Sequence, residues 1–251
     1  MSLDVRMRTP YAPELELPPV FRPVSLREIG DAFAHAQEIA PDAGAGTLVR
    51  VGRFDLVEFA VVLEPEEPLA TARRAFYAGV AALVDALAAH APPEKPIGID
   101  WPDAIRVDGG LVGGARLAWP KRAREDRVPP WLVFGAMIRI VEMAERKPGV
   151  LPLGAALEEE GFHELGSGRL VESFARHLLT LTHAWQEDGF QAVAQSYLAR
   201  LPGEAGIERS IDANGNLLVR TAGRRELQTF PLVPALRAPS WLDARTGAPR
   251  E

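Results

Sequence analysis

The sequence predicts an α+β fold, a sheet with flanking helices followed by a small β module near the C-terminal end. Three observations lead there. Short runs rich in Val, Ile, Leu and Phe recur between turn signals, as buried strands require. Longer segments carry apolar residues at i, i+4, i+7 and i+8, the period of an amphipathic helix. After Pro202-Gly203, the pairs Asn214-Gly215 and Ala222-Gly223 punctuate strand-like runs, which is a hairpin pattern.

The proline-rich first 24 residues read as extended chain, with 1–17 an arm ahead of a main domain over 18–201. A helix is expected from Ser25, because Ser25 and Glu28 have capping-box spacing and Leu26, Ile29, Phe33, Ala36 and Ala40 follow at helical intervals. Pro41 to Gly44 should end it. "TLVRVGRFDLVEFAVVLEP" reads as two strands around Gly52–Asp55. Phe76, Val80, Leu83, Val84 and Leu87 mark one long helix within 69–91.

Strands are then expected near 97–101, 104–107 and 111–119, with Asp108-Gly109-Gly110 as a turn. The charged run 121–127 reads as a solvated loop before a strand in "WLVFGAMIRIVEM", and 146–166 shows little pattern. Helices near 167–187 and 189–201 follow, separated by Gly189. The β module spans 202–238, and the polar, proline-containing tail at 239–251 reads as loosely held.

A chain of 251 residues, 47% hydrophobic and 25% charged, is long enough for a large core. The net charge of −6 offers no field for nucleic acid or an anionic membrane. No apolar run approaches the ~20 residues of a membrane span, and the N-terminus lacks the apolar core of a signal peptide, so a cytoplasmic protein is expected. Without a single cysteine, disulfides and thiolate chemistry are excluded. His35, His90, His163, His177 and His183 form no close ligand pattern, so no metal site is expected.

One stretch carries a specific signal. "DWPDA" (100–104) and "LVGGA" (111–115) resemble the paired motifs of the biotin– and lipoate–protein ligases, Lys-Trp-Pro-Asn-Asp followed by Lys-Val/Leu-Gly/Ala-Gly. The flanks agree. "REIGDAFAHA" sits where that family has Ser-Thr-Asn, and "GTLVRVG" looks like the strand entering its Gly-Arg-Gly-Arg loop. "FGAMIRI" (134–140) is similar to its Gly-Ile-Gly-Ile-Asn-Val strand, and the helix pair after 170 and "GIERSIDANGNLLVR" resemble its closing helices and C-terminal SH3-like module.

The resemblance covers roughly 18–235. It implies a mixed sheet of the class II aminoacyl-tRNA synthetase/biotin synthetase-like type with flanking helices and an SH3-like β module. It further implies ATP and biotin, or lipoate or octanoate, as small-molecule acyl-ligand substrates. A lysine on a biotinyl, lipoyl or acyl-carrier domain would accept the acyl group, and a homodimer is a further implication.

Residue by residue, the resemblance also implies departures. The family's lysines fall on Leu111 and Asp100, its Asn-Asp pair on Asp103 and Ala104, which shifts a carboxylate associated with the metal by one place. Its Ser-Thr-Asn falls near Asp31-Ala32-Phe33, and the asparagine of its Gly-Ile-Asn strand on Arg139. Only Gly52, Arg53, Phe54 and Asp55 remain of the loop that folds over an acyl-adenylate, too few to enclose a nucleotide. Each lost electrostatic donor typically costs ~10²–10³ in rate.

The pocket candidates are therefore Arg53, Asp100, Trp101, Pro102, Asp103, Gly113, Gly114, Arg116 and Arg139, with no catalytic residue assigned. Arg116 and Arg139 are candidate carboxylate contacts, or else ion-pair partners of Asp100 or Asp103. Trp101 either covers an acyl chain or packs in the core. Two functions stay open: a divergent acyl ligase or acyltransferase acting on a carrier lysine, and a non-catalytic relative that binds an acyl group, nucleotide or carrier domain in assembly or regulation.

Overall fold

Seven strands form the central sheet in a computed structural model that describes residues 15–143 and 154–250. In chain order they are β1 (Arg22–Leu26), β2 (Thr47–Val51), β3 (Leu56–Leu63), β4 (Ile97–Asp100), β5 (Ala104–Val107), β6 (Gly110–Ala118) and β7 (Leu132–Arg139). Their order across the sheet is β1-β2-β3-β7-β6-β5-β4. All neighbours run antiparallel except β1 and β2, which are parallel and joined through helix α1 (Ala32–Ala43). A parallel pair needs such a crossover because a tight turn cannot reverse the chain twice.

Side chains alternate across a strand, so the sheet has two faces. On one, Phe59 and Val61 of β3, Ala115 and Leu117 of β6, and Phe134, Ala136 and Ile138 of β7 join the main core. Helices α3 (Ala75–Ala88) and α4 (Ser167–Asp188) cover that face, with α2 (Leu69–Ala72) before them and α5 (Phe190–Leu198) after. The stripe read from the sequence, Phe76 to Leu87, is wholly buried. Phe174 of α4 lies 4.6 Å from the Phe59 ring and stacks on Phe134 at 5.6 Å. Gly79 makes the helix approach possible, since a Cβ there would sit 2.3 Å from the Phe134 ring.

On the opposite face, α1 packs Ala32, Ala36 and Ala40 against Val49, Val51, Ala60, Val62 and Val133. A second apolar group there, Leu56, Ala104, Leu111, Met137 and Trp241, is separate from the first. The C-terminal sheet comprises β8 (Ile207–Ile211), β9 (Leu217–Thr221) and β10 (Leu227–Phe230), antiparallel in the order β10-β9-β8, followed by α6 (Leu232–Arg237). The Tyr77 hydroxyl of α3 donates to the Gly215 carbonyl at 2.6 Å, tying this sheet's β8–β9 turn to the main core.

Three sequence expectations need correction. Ser25 caps no helix: it pairs with Arg50 in the β1–β2 ladder, and α1 begins at Ala32 with Asp31 as its cap, accepting from the Ala34 amide at 2.8 Å. The helix runs through Pro41 and ends at Gly44, whose φ of 74° suits glycine. The single helix at 69–91 is two. Between them the amides of Phe76 and Tyr77 bond three residues back, to Arg73 and Arg74, tightening the chain and re-aiming it. The third correction concerns the tail: Trp241 is fully buried against the sheet with Leu242 packed beside it, and Pro249 is buried too. Residues 1–14 of the expected arm and 144–153 of the low-pattern stretch lie outside the described residues.

Candidate functional site

The face that carries α1 also carries most of the residues the sequence singled out. On β6 and β7 this face reads Gly114 and Arg116 beside Met137 and Gly135, which pair as Gly114 with Met137 and Arg116 with Gly135. Each glycine accepts an aromatic ring. A Cβ on Gly135 would meet the Phe33 ring at 2.4 Å, and one on Gly114 would meet the Trp241 ring at 2.3 Å and the Asp103 carbonyl at 2.2 Å. Gly113 lies so close to the Met137 carbonyl that a Cβ would fall 2.0 Å from it. The glycine pair thus lets backbone and rings approach where a side chain would forbid it.

The Arg116 guanidinium lies over the Phe33 ring at 4.3 Å. Asp31 and Glu58 face it electrostatically, while burial pulls its pKa down. Its buried Nε has no hydrogen-bond partner among the described residues. Glu58, buried in β3, accepts from the Ala32 amide at 2.7 Å, the first turn of α1, where a helix dipole favours negative charge. Burial nonetheless raises the Glu58 pKa above the usual carboxylate value. A glutamate in the apolar run "LVEFAVV" was the available signal for this group, and sequence reading passed over it.

The other candidates disperse. Arg53 grips Asp55 through both ends of its guanidinium, at 3.0 and 2.6 Å, closing the four-residue turn on itself. Asp100 pairs with Arg106 at 2.5 Å, so neither Arg116 nor Arg139 is its partner. Trp101 leaves β4 toward the main core: its Nε1 donates to the Tyr77 hydroxyl at 3.2 Å and its ring meets Phe230 edge-on. The Pro102 carbonyl accepts from Tyr197 at 2.9 Å. Arg139 donates to the Pro249 carbonyl at 2.6 Å and faces Glu142 at 3.2 Å. Leu111 belongs to the apolar group with Leu56, Ala104, Met137 and Trp241.

Asp103 is fully buried and accepts from Ser240 twice, from the hydroxyl at 2.7 Å and the amide at 3.1 Å. Burial pushes its pKa up to about 6, against the pull of those hydrogen bonds. Ser240 and Trp241 are the site neighbours that the sequence reading missed. A lone tryptophan in a polar tail was the only hint. Trp241 Nε1 donates to the Ala115 carbonyl at 3.1 Å. A cavity of about 670 Å³ lies between Arg139 and residues 243–250. Another of about 840 Å³ borders β4 and is lined by none of the candidates. Among the described residues no three His, Asp or Glu side chains gather as metal ligands.

Residues 17–199 match the biotin/lipoate A/B protein ligase family, and the chain belongs to that family. The mixed seven-stranded sheet, its flanking helices and the separate three-stranded sheet are the biotin ligase fold. The solved structures it resembles include a biotin protein ligase-like protein of unknown function from Silicibacter sp. TM1040, at 27% identity and a TM-score of 0.75, covering 88% of this chain and 98% of that one. The biotin protein ligase of Aquifex aeolicus gives 13% identity and 0.62, covering 84% and 99%. That of Leishmania major, solved with biotinyl-5-AMP, gives 16% and 0.53, covering 85% and 99%. No curated protein matches the sequence. No helix among the described residues is long and apolar enough to cross a membrane.

Proposed function

We propose that this protein binds a small acyl ligand on the α1 face of its sheet, together with a carrier-domain partner, and does not perform standard ATP-dependent adenylation. Arg116 carries the reading. Its buried Nε is a donor with no partner, beside two glycines that bring the backbone close, and a ligand carboxylate would satisfy it. The adenylation half lacks support. The Gly52–Asp55 turn is spent on its own ion pair, Leu111 lies among apolar side chains, and Asp31 and Glu58 beside Arg116 offset the positive charge a triphosphate needs. The family's Aquifex and Leishmania members are biotin ligases, and carrier domains fit that lineage.

Thermal-shift and calorimetric titrations with biotin, lipoate, octanoate and ATP, alongside a pyrophosphate-release assay, test this. An acyl acid should raise the melting temperature, and Arg116→Ala should abolish the rise. Pyrophosphate release from ATP with any of the acids sinks the reading.

A second reading rests on Glu58, whose raised pKa suits a general base. In that case the protein would be an acyltransferase that takes a pre-activated acyl donor to a carrier lysine. Turnover of such a donor, lost in Glu58→Gln, would distinguish it.

A further inference from the structure

We propose that residues 240–250 form a displaceable strap, in which Trp241 fills the place an acyl ligand takes over Gly114. This rests on the acyl-binding reading above and adds a gate to it. The strap's hydrogen bonds are largely its own. The amide of Arg250 bonds to the Trp241 carbonyl, that of Asp243 to Ala248 and that of Gly247 to Asp243, while Leu242 bridges Pro249. Such a self-closed loop keeps its backbone satisfied whether it is seated or lifted.

Its attachments to the sheet are few. Ser240 holds Asp103, Trp241 holds the Ala115 carbonyl, and Arg139 holds the Pro249 carbonyl. Most of the remaining side chains from 243 to 248 are exposed. The largest apolar attachment is the Trp241 ring, in a socket of Leu56, Ala104, Leu111 and Met137 over Gly114, with Leu242 packed beside it and Pro249 buried at the strap's far end. That socket is apolar and indole-sized, which suits a bicyclic or medium-chain acyl group. The ring and the ligand compete for one volume, so the apparent affinity of the whole chain is the intrinsic affinity scaled by the open fraction.

The test uses the full chain and two variants, Trp241→Ala, which empties the socket, and Ser240→Ala, which loosens the latch without opening a cavity. Biotin, lipoate and octanoate are titrated by calorimetry into all three, and amide exchange is followed with and without ligand. Both variants should bind at least one acid about tenfold or more tighter than the unaltered chain, with Trp241→Ala the tighter. In the unaltered chain, that ligand should speed exchange at 240–250 while slowing it at Gly113–Ala115. If Trp241→Ala fails to fold, Ser240→Ala with the exchange data decides. Equal affinities and unchanged exchange at 240–250 overturn the strap and leave the acyl-binding reading standing. Absence of binding in every protein overturns the acyl-binding reading, and the strap's role with it.

Discussion

Replacing Asp103 with Asn should reveal how much free energy is stored in one buried carboxylate. The carboxyl titrates near 6 in the folded chain and near 3.9 when unfolded. Between those values the folded state holds more protons than the unfolded state, so this group's contribution falls as pH rises from about 4 to about 6 and is fully unfavourable above that. At 1.36 kcal/mol per pH unit, the penalty at pH 8 is roughly 3 kcal/mol. Asn keeps an oxygen for the Ser240 amide and can donate to the Ser240 hydroxyl, so the latch survives without the charge. Urea unfolding of both proteins at pH 4, 5, 6, 7 and 8, followed by tryptophan fluorescence, isolates the term as a difference that cancels the other carboxylates. Asp103→Asn should gain on the parent by roughly 2–3 kcal/mol between pH 4 and pH 8. Parallel curves, or a parent that gains on the variant as pH rises, would refute the burial argument.

Phe174→Ala should cost about 3–5 kcal/mol by urea unfolding, because the ring lies between Phe59 and Phe134 in the main core. Asp31→Ala removes the cap of α1 and should lower stability by about 1 kcal/mol, with faster amide exchange confined to the first turn of that helix. Tyr77→Phe deletes one bond to the Gly215 carbonyl and one from Trp101, and should cost about 1–3 kcal/mol. It should also speed limited proteolysis within the three-stranded sheet more than within β3 or β7.

Strand existence and the main helical stripes were legible because period and burial agree there: β3, β7 and α3 read almost without ambiguity. Local signals misled where tertiary pairing outbid them. Ser25 looks like a cap three residues before Glu28, yet strand pairing with Arg50 claims its backbone and Asp31 caps instead. Of the site, Gly114 and Arg116 were visible through the Trp-Pro and Gly-Gly spacing, and they do share one face with Trp241. Trp241 was not visible, because its partner Gly114 is more than a hundred residues away and no periodicity links them. Asp100 and Trp101 are adjacent to that signal in sequence but turn away, to Arg106 and to Tyr77.

The two aromatic clasps on β6 and β7 face one way, while the phenylalanine stack of the core faces the other. A single sheet thus separates two selective regimes. Substitutions beneath α3 and α4 put the whole domain at risk of unfolding. The far side is less uniform: alanine and valine contacts under α1 are as tightly buried as the core, while beside them glycines, aromatic rings and buried charges share the surface.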